Sequence, residues 1–263
     1  MKNDFDENGY LGKQAESWRG ETINKFPNYF SFAHNINCFV NKHKFDFGFK
    51  YNQRDIAISS SLSRILSSFQ ASILLCSYCL FNESEVVLRS MMEATFILVA
   101  CCKKDDFYKS YIKSFHAERL RVARNINLGN ISDFLKMSIT EDYFNELKYK
   151  CEQDKIKSIK VLEIAQKAEM EYYFYGPYWF LSLAVHVSPK SAEKYFNIES
   201  NGDVYLALWQ EPNQNMIKDI IILGSDLLLR SFKTLYEFYG KTQPDDFSGI
   251  LEQFQEIIKK DDI

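Results

Sequence analysis

Apolar positions in this chain recur mostly at three- and four-residue steps, the spacing of an amphipathic helix. Over residues 53–81, Ile56, Leu62, Ile65, Leu66, Phe69, Ile73, Cys76 and Leu80 keep that spacing and predict one long helix. Asn82, with Glu85 three residues on, has the form of a capping box and opens a second helix over about 83–103. Asp105 or Asp106 caps a third, running to about 127, where Gly129–Asn130 breaks it. Residues 131–170 are polar, with shorter helical stretches. The segment 171–187 is aromatic and apolar; Pro177 suits a helical first turn, and Ser188–Pro189 ends it. A further helix spans about 213–240, with Met216, Ile220, Leu223, Leu227, Leu228, Phe232 and Leu235 on one face and Gly240 as its stop. The last begins at Asp245 or Asp246 and runs to about 260.

One stretch breaks this period. In 195–209, YFNIE and DVYLALW flank Asn201–Gly202, a strong short hairpin signal. The alternative is an inter-helix loop with incidental β-formers. At the other end, residues 1–12 are polar and read as a loose, flexible tail, and 13–47 show mixed helical spacing interrupted near Pro27. The expected fold is therefore all-α, a multi-helix bundle with a small β-hairpin insertion near 195–209. A single helical domain is expected over 13–263, with a motif-bearing core at about 53–190 and a C-terminal hairpin and helices at 195–263.

Composition fits this. Among 263 residues, hydrophobic side chains make up 46% and aromatics 16%, enough for a sizeable core and against wholesale disorder. The net charge of −3 gives no global positive field for nucleic acid, so any such binding needs a local basic face. The polar, acidic N-terminus lacks the apolar core of a secretory signal, and no apolar run is long enough to span a membrane. A soluble, cytoplasmic protein with no membrane partner is expected.

Six cysteines are present, including Cys76 and Cys79 in a C-x-x-C and the adjacent Cys101–Cys102. Zinc sites with this spacing usually sit on a turn and have a second Cys/His pair. Here the motif lies within SILLCSYCLF, so buried thiols are expected, with no metal and no cofactor. No P-loop, G-x-G-x-x-G, H-E-x-x-H or C₂H₂ spacing occurs, which removes the common nucleotide, dinucleotide and zinc-peptidase classes.

The candidate chemistry lies in two polar rows on apolar helices. Arg89 and Glu93 interrupt VVLRSMMEATFILVACC; Tyr178, Ser182 and His186 interrupt YWFLSLAVHVS. Four-residue spacing puts each row on one helix face. A buried charge needs a partner, so the two rows are expected to satisfy each other across a helix contact. His186 and Arg89 are the residue types that metal-independent RNA cleavage needs, an acid–base near neutrality and a cation for phosphate. A Ser182–His186–Glu93 triad has the right letters, but a mid-helix serine lacks the sharp exposed turn of hydrolase nucleophiles. The same letters also suit a purely structural cluster that fixes helix packing. Lys109, Lys113, His116, Arg119, Arg121 and Arg124 make 105–127 basic, either a phosphate- or RNA-binding face or a solvated surface.

Over about residues 60–190, LRSMMEA and YWFLSLAVH resemble an uncharacterised group of bacterial all-helical proteins, classed as a domain of unknown function. That group distantly resembles the HEPN superfamily of helical ribonucleases, toxins and anti-phage defence proteins. The resemblance implies a cytoplasmic effector or regulator that acts on or binds RNA or nucleotide. It implies Arg89, Glu93, Ser182 and His186 as catalytic candidates, with Tyr178, Trp179, Arg119 and Arg124 binding. A homodimer or a protein partner is implied by analogy. One departure matters: HEPN ribonucleases carry an Arg and a His with four to six residues between them, whereas Trp179, with six residues between it and His186, stands where Arg would complete the pattern. Cleavage of that type is therefore not expected of the chain alone. The other reading is a non-catalytic interaction or scaffold protein.

Overall fold

In the computed structural model, which describes residues 4–128, 140–185, 192–198, 202–206 and 209–259, Asn52 starts the first long core helix. Its side chain accepts a hydrogen bond from the Asp55 backbone N–H at 2.9 Å, capping α4 (Gln53–Ser77). A three-residue turn returns the chain into α5 (Phe81–Lys103), antiparallel to α4. Cys79 takes a left-handed φ of 59° in that turn, and the Leu80 N–H closes on the Leu75 carbonyl at 3.0 Å. The expected Asn82 cap is thus corrected. The helix begins at Phe81 without a side-chain cap, and Asn82 is buried within its first turn. Cys79 likewise sits in the turn rather than inside a helix, with its sulfur 3.6 Å from the Thr22 hydroxyl.

At the far end of α5, Arg54 donates to the carbonyls of Cys101 (2.8 Å) and Cys102 (3.1 Å), satisfying groups a helix end leaves open. Around the α4–α5 pair pack α2 (Lys13–Lys25), α3 (Pro27–His43), α8 (Val161–Ala168) and α10 (Pro177–Val185), with the short α9 (Glu171–Tyr175) packed between α8 and α10. The other side is covered by α11 (Gln214–Phe238), whose Ile217, Ile221, Leu227, Leu228, Phe232 and Leu235 are fully buried. Asn213 caps it, and Gly240, at φ +59°, stands just past its end, the stop that the sequence predicts. Gly224 lets α11 approach closely: a Cβ there would sit 3.1 Å from Phe69 and 3.3 Å from Leu88.

The last helix, α12 (Asp246–Lys259), is hooked to α3 by His43. One ring nitrogen lies 2.7 Å from Asp46, the other 3.0 Å from Asp246, and Lys42 adds a 2.7 Å ion pair to Asp246. Away from this core, α6 (Phe107–Leu128) and α7 (Glu141–Gln153) share a small cluster of their own around Leu120, Leu147 and Cys151. Two short strands, β1 (Phe196–Ile198) and β2 (Val204–Leu206), pair antiparallel with Asn197 opposite Tyr205, so the hairpin forms on the all-α bundle.

Residues expected to form a loose tail instead carry α1 (Asp4–Asn8) and a 3₁₀ turn, Gly9–Leu11. Phe5 is the reason: its ring is 4.9 Å from that of Trp18, which is itself 4.2 Å from Trp209. Asp4 accepts from the Gln14 N–H at 2.8 Å and fixes the entry to α2. Ile56, which the spacing puts on the buried face of α4, is 47% exposed. The breaks expected at Gly129–Asn130, Ser188–Pro189 and Asn201 lie outside the described residues. Among the described residues, no helix is long and apolar enough to cross a membrane.

Candidate functional site

Gly176 and Pro177 set the position of α10. A Cβ on Gly176 would come within 3.0 Å of the Tyr172 carbonyl, so the sharp junction between α9 and α10 needs glycine. Proline then fills the first helical position, where no N–H is needed. This aims Tyr178 at the Arg89–Glu93 row of α5.

Of the second row, Tyr178 meets Arg89 and Glu93 there. The Tyr178 hydroxyl donates to Glu93 Oε1 at 2.7 Å and accepts from Arg89 Nη2 at 2.8 Å. Arg89 Nε lies 3.5 Å from the same Glu93 oxygen, and the guanidinium carbon is 4.9 Å from the centre of the Tyr178 ring. The ring stacks on Phe174 at 5.1 Å and packs near Phe96. Tyr178 is 6% exposed, while the Arg89 and Glu93 side chains keep 22% and 38% of their surface. The site is thus a half-buried ion pair with a phenol inserted between its members.

Burial raises the Tyr178 hydroxyl above its ordinary value, and its bond to the Glu93 carboxylate adds to this. It stays protonated near neutrality, a hydrogen-bond donor rather than a base. The Ser182 hydroxyl donates to the Tyr178 carbonyl at 2.7 Å, one turn back on its own helix. Its only proton is therefore committed to the backbone, and no described base reaches it. His186 lies outside the described residues. Trp179 is 56% exposed and Phe180 61%, so α10 turns an aromatic flank to solvent.

The structure does not bring Arg119 and Arg124 to this site. Both are exposed on α6, which packs against α7. The Arg119 guanidinium lies against the rings of Phe115 (5.5 Å) and Tyr143 (5.0 Å). The neighbouring basic groups are locally paired: Lys109 with Asp106, Lys113 with Asp154, Arg121 with Glu118. Among the described residues, no group of three or more His, Cys, Asp or Glu side chains is placed to hold a metal ion.

A second polar cluster has no counterpart among the sequence-predicted residues. Asp226 on α11 accepts from the Tyr173 hydroxyl and from Arg230 Nε at 3.0 Å, and the Arg230 guanidinium lies 5.0 Å from the Tyr173 ring. Asp226–Arg230 shows the same four-residue signal as Arg89–Glu93, also within an apolar helix.

No curated protein and no solved structure matches the chain. Residues 55–204, more than half of its length, match the family of unknown function DUF5677, and both polar rows fall inside that span. The chain belongs to this family.

Proposed function

We propose that the chain is a helical effector or regulator that binds single-stranded RNA at the Arg89–Glu93–Tyr178 cluster without cutting it. The observation that carries the reading is a pre-positioned, part-exposed guanidinium held by a helix, α10, that also exposes two aromatic rings. Arg89 is locked by Tyr178 and Glu93 yet retains surface, and Trp179, the residue after Tyr178 on α10, is 56% exposed. A guanidinium suits phosphate oxygens, and exposed rings suit unstacked bases.

Three features favour binding over cleavage. Ser182 spends its proton on the backbone. Tyr178 holds its own. Trp179 replaces the cation that HEPN-type cleavage needs before His186. The resemblance to HEPN-like toxin and anti-phage modules supports a bacterial cytoplasmic role as a homodimer.

The test is fluorescence anisotropy with labelled single-stranded RNA. The expected result is saturable binding tighter than about 100 μM, the weak end of non-specific affinity, weakened by rising salt. Trp179→Ala should weaken it with unchanged thermal stability, and the RNA should remain intact. Absence of saturable binding, or binding indifferent to Trp179→Ala and Arg89→Gln, overturns the proposal. The second reading, a structural cluster in an interaction or scaffold protein, draws on the burial of the Tyr178 ring. It requires Tyr178→Phe to lower stability with no effect on RNA binding.

A further inference from the structure

On the flank of α10 next to Tyr178, a cavity of about 550 Å³ opens between α5, α10, α11 and α12. Leu88, Leu181, Ile220, Leu223 and Phe254 give it apolar walls. Its volume lies in the range of small-molecule sites, about 300–1,000 Å³. Three carboxylates line it, those of Glu85, Asp219 and Asp226, and among the described residues no Lys, Arg or His does.

The carboxylates are not equivalent. Asp226 is answered by Tyr173 and Arg230. Asp219 makes no hydrogen bond or ion pair to any described residue. Burial raises its carboxyl above the usual value, opposed only by the charge of its chain neighbour Lys218. Asp219 is nevertheless exposed to solvent on the cavity lining, so an incoming cation can pair with it there, and none of the groups lining this cavity supplies one.

We propose that this cavity binds a small amphiphilic organic amine, its ammonium group paired with Asp219 and its aryl or branched-alkyl body among Ile220, Leu223 and Phe254. Charge complementarity selects this occupant. An anionic amphiphile, such as a fatty acid or a phosphate ester, would meet three carboxylates. A neutral ligand would leave the charge of Asp219 unanswered. Phe180, also on the lining, adds an aromatic ring of the kind that attracts ammonium groups. The site is independent of the RNA-binding reading, which uses Arg89 and Trp179.

Isothermal titration calorimetry on the full chain with phenethylamine and 3-phenylpropionate, nearly the same size and opposite in charge, tests this. The amine should bind at least about tenfold more tightly than the acid. Asp219→Asn should remove that preference, and because Asp219 has no described partner to lose, the variant should fold normally. Met216→Trp, which fills the cavity, should weaken the amine in the otherwise unaltered chain. Amine affinity should fall as pH drops through the Asp219 titration and should be unaffected by Trp179→Ala. Equal affinity for the two probes, a preference that survives Asp219→Asn, or saturation by neither in the millimolar range overturns the proposal.

Discussion

Replacing Tyr178 by Phe removes one oxygen and keeps the ring, which separates the polar junction of α5 and α10 from their packing. That oxygen carries a 2.7 Å bond to Glu93 and a 2.8 Å bond from Arg89. A hydrogen bond to a charged group contributes about 1.5–3 kcal/mol where the group is buried. Arg89 and Glu93 are 22% and 38% exposed, so water recovers part of the loss. The net expectation is about 1–2 kcal/mol, less than the sum of two buried bonds. For a domain of this size that is a fall of roughly 2–8 °C in Tm. Urea unfolding and calorimetry measure it directly. Tyr178→Ala should cost about 3–5 kcal/mol, because it also empties the contact with Phe174 and Phe96. A double-mutant cycle with Glu93→Gln should show coupling between Tyr178 and Glu93. If Tyr178→Phe stays within about 0.5 kcal/mol of the wild type, the hydroxyl is not what joins the helices.

Gly224→Ala should destabilise by about 1–3 kcal/mol in the same assays, because the new methyl meets the Phe69 ring and Leu88 in a filled core. The Asp246 carboxyl is held below its usual range, chiefly by Lys42 and then by His43. Its contribution is therefore present above the unfolded value of about 3.9 and lost as pH falls through the lowered one. Asp246→Asn should lower stability near neutrality and flatten the decline on acidification, as followed by unfolding at stepped pH. Burial pushes the Cys101 and Cys102 thiols up to about 12 and raises those of Cys76 and Cys79, whereas Cys38 is exposed. Under native conditions a thiol reagent should modify Cys38 first, read by peptide mass spectrometry, and early labelling of Cys101 would contradict this.

Long periodic segments are legible because a strand or loop cannot hold apolar residues at three- and four-residue steps over six or seven turns. The 53–81 and 213–240 patterns give α4 and α11 to within a few residues. Boundaries set by unusual backbone are not legible in this way. The turn before α5 relies on a left-handed Cys79, and nothing in its letters marks it, so Asn82 takes on the look of a cap that a typical turn would have given it. Phe5 and Tyr10 are isolated aromatics in a polar stretch; only the fold brings Trp209 within reach of them. At the site, the Arg89–Glu93 row and Tyr178 are readable because buried charge demands a partner. Ser182 has the letter of a nucleophile, but a helical serine finds the carbonyl four residues back more readily than a distant base. The Asp226–Arg230 pair carries an equal signal and becomes a cluster only when Tyr173 completes it.

The span shared with the family ends at residue 204, before α11 begins. Yet α11 seals the open side of α4 and α5, and its Gly224 rests against Phe69 and Leu88, which both lie inside that span. What is inherited as a recognisable sequence is therefore smaller than what can stand alone. A gene fusion or transplant cut at residues 55 and 204 would carry both polar rows but leave a greasy wall facing water. Such a fragment should aggregate or seek a helix from elsewhere. Relatives that keep only the shared span need a substitute for α11, either a helix from another part of their own chain or one lent by a neighbouring subunit.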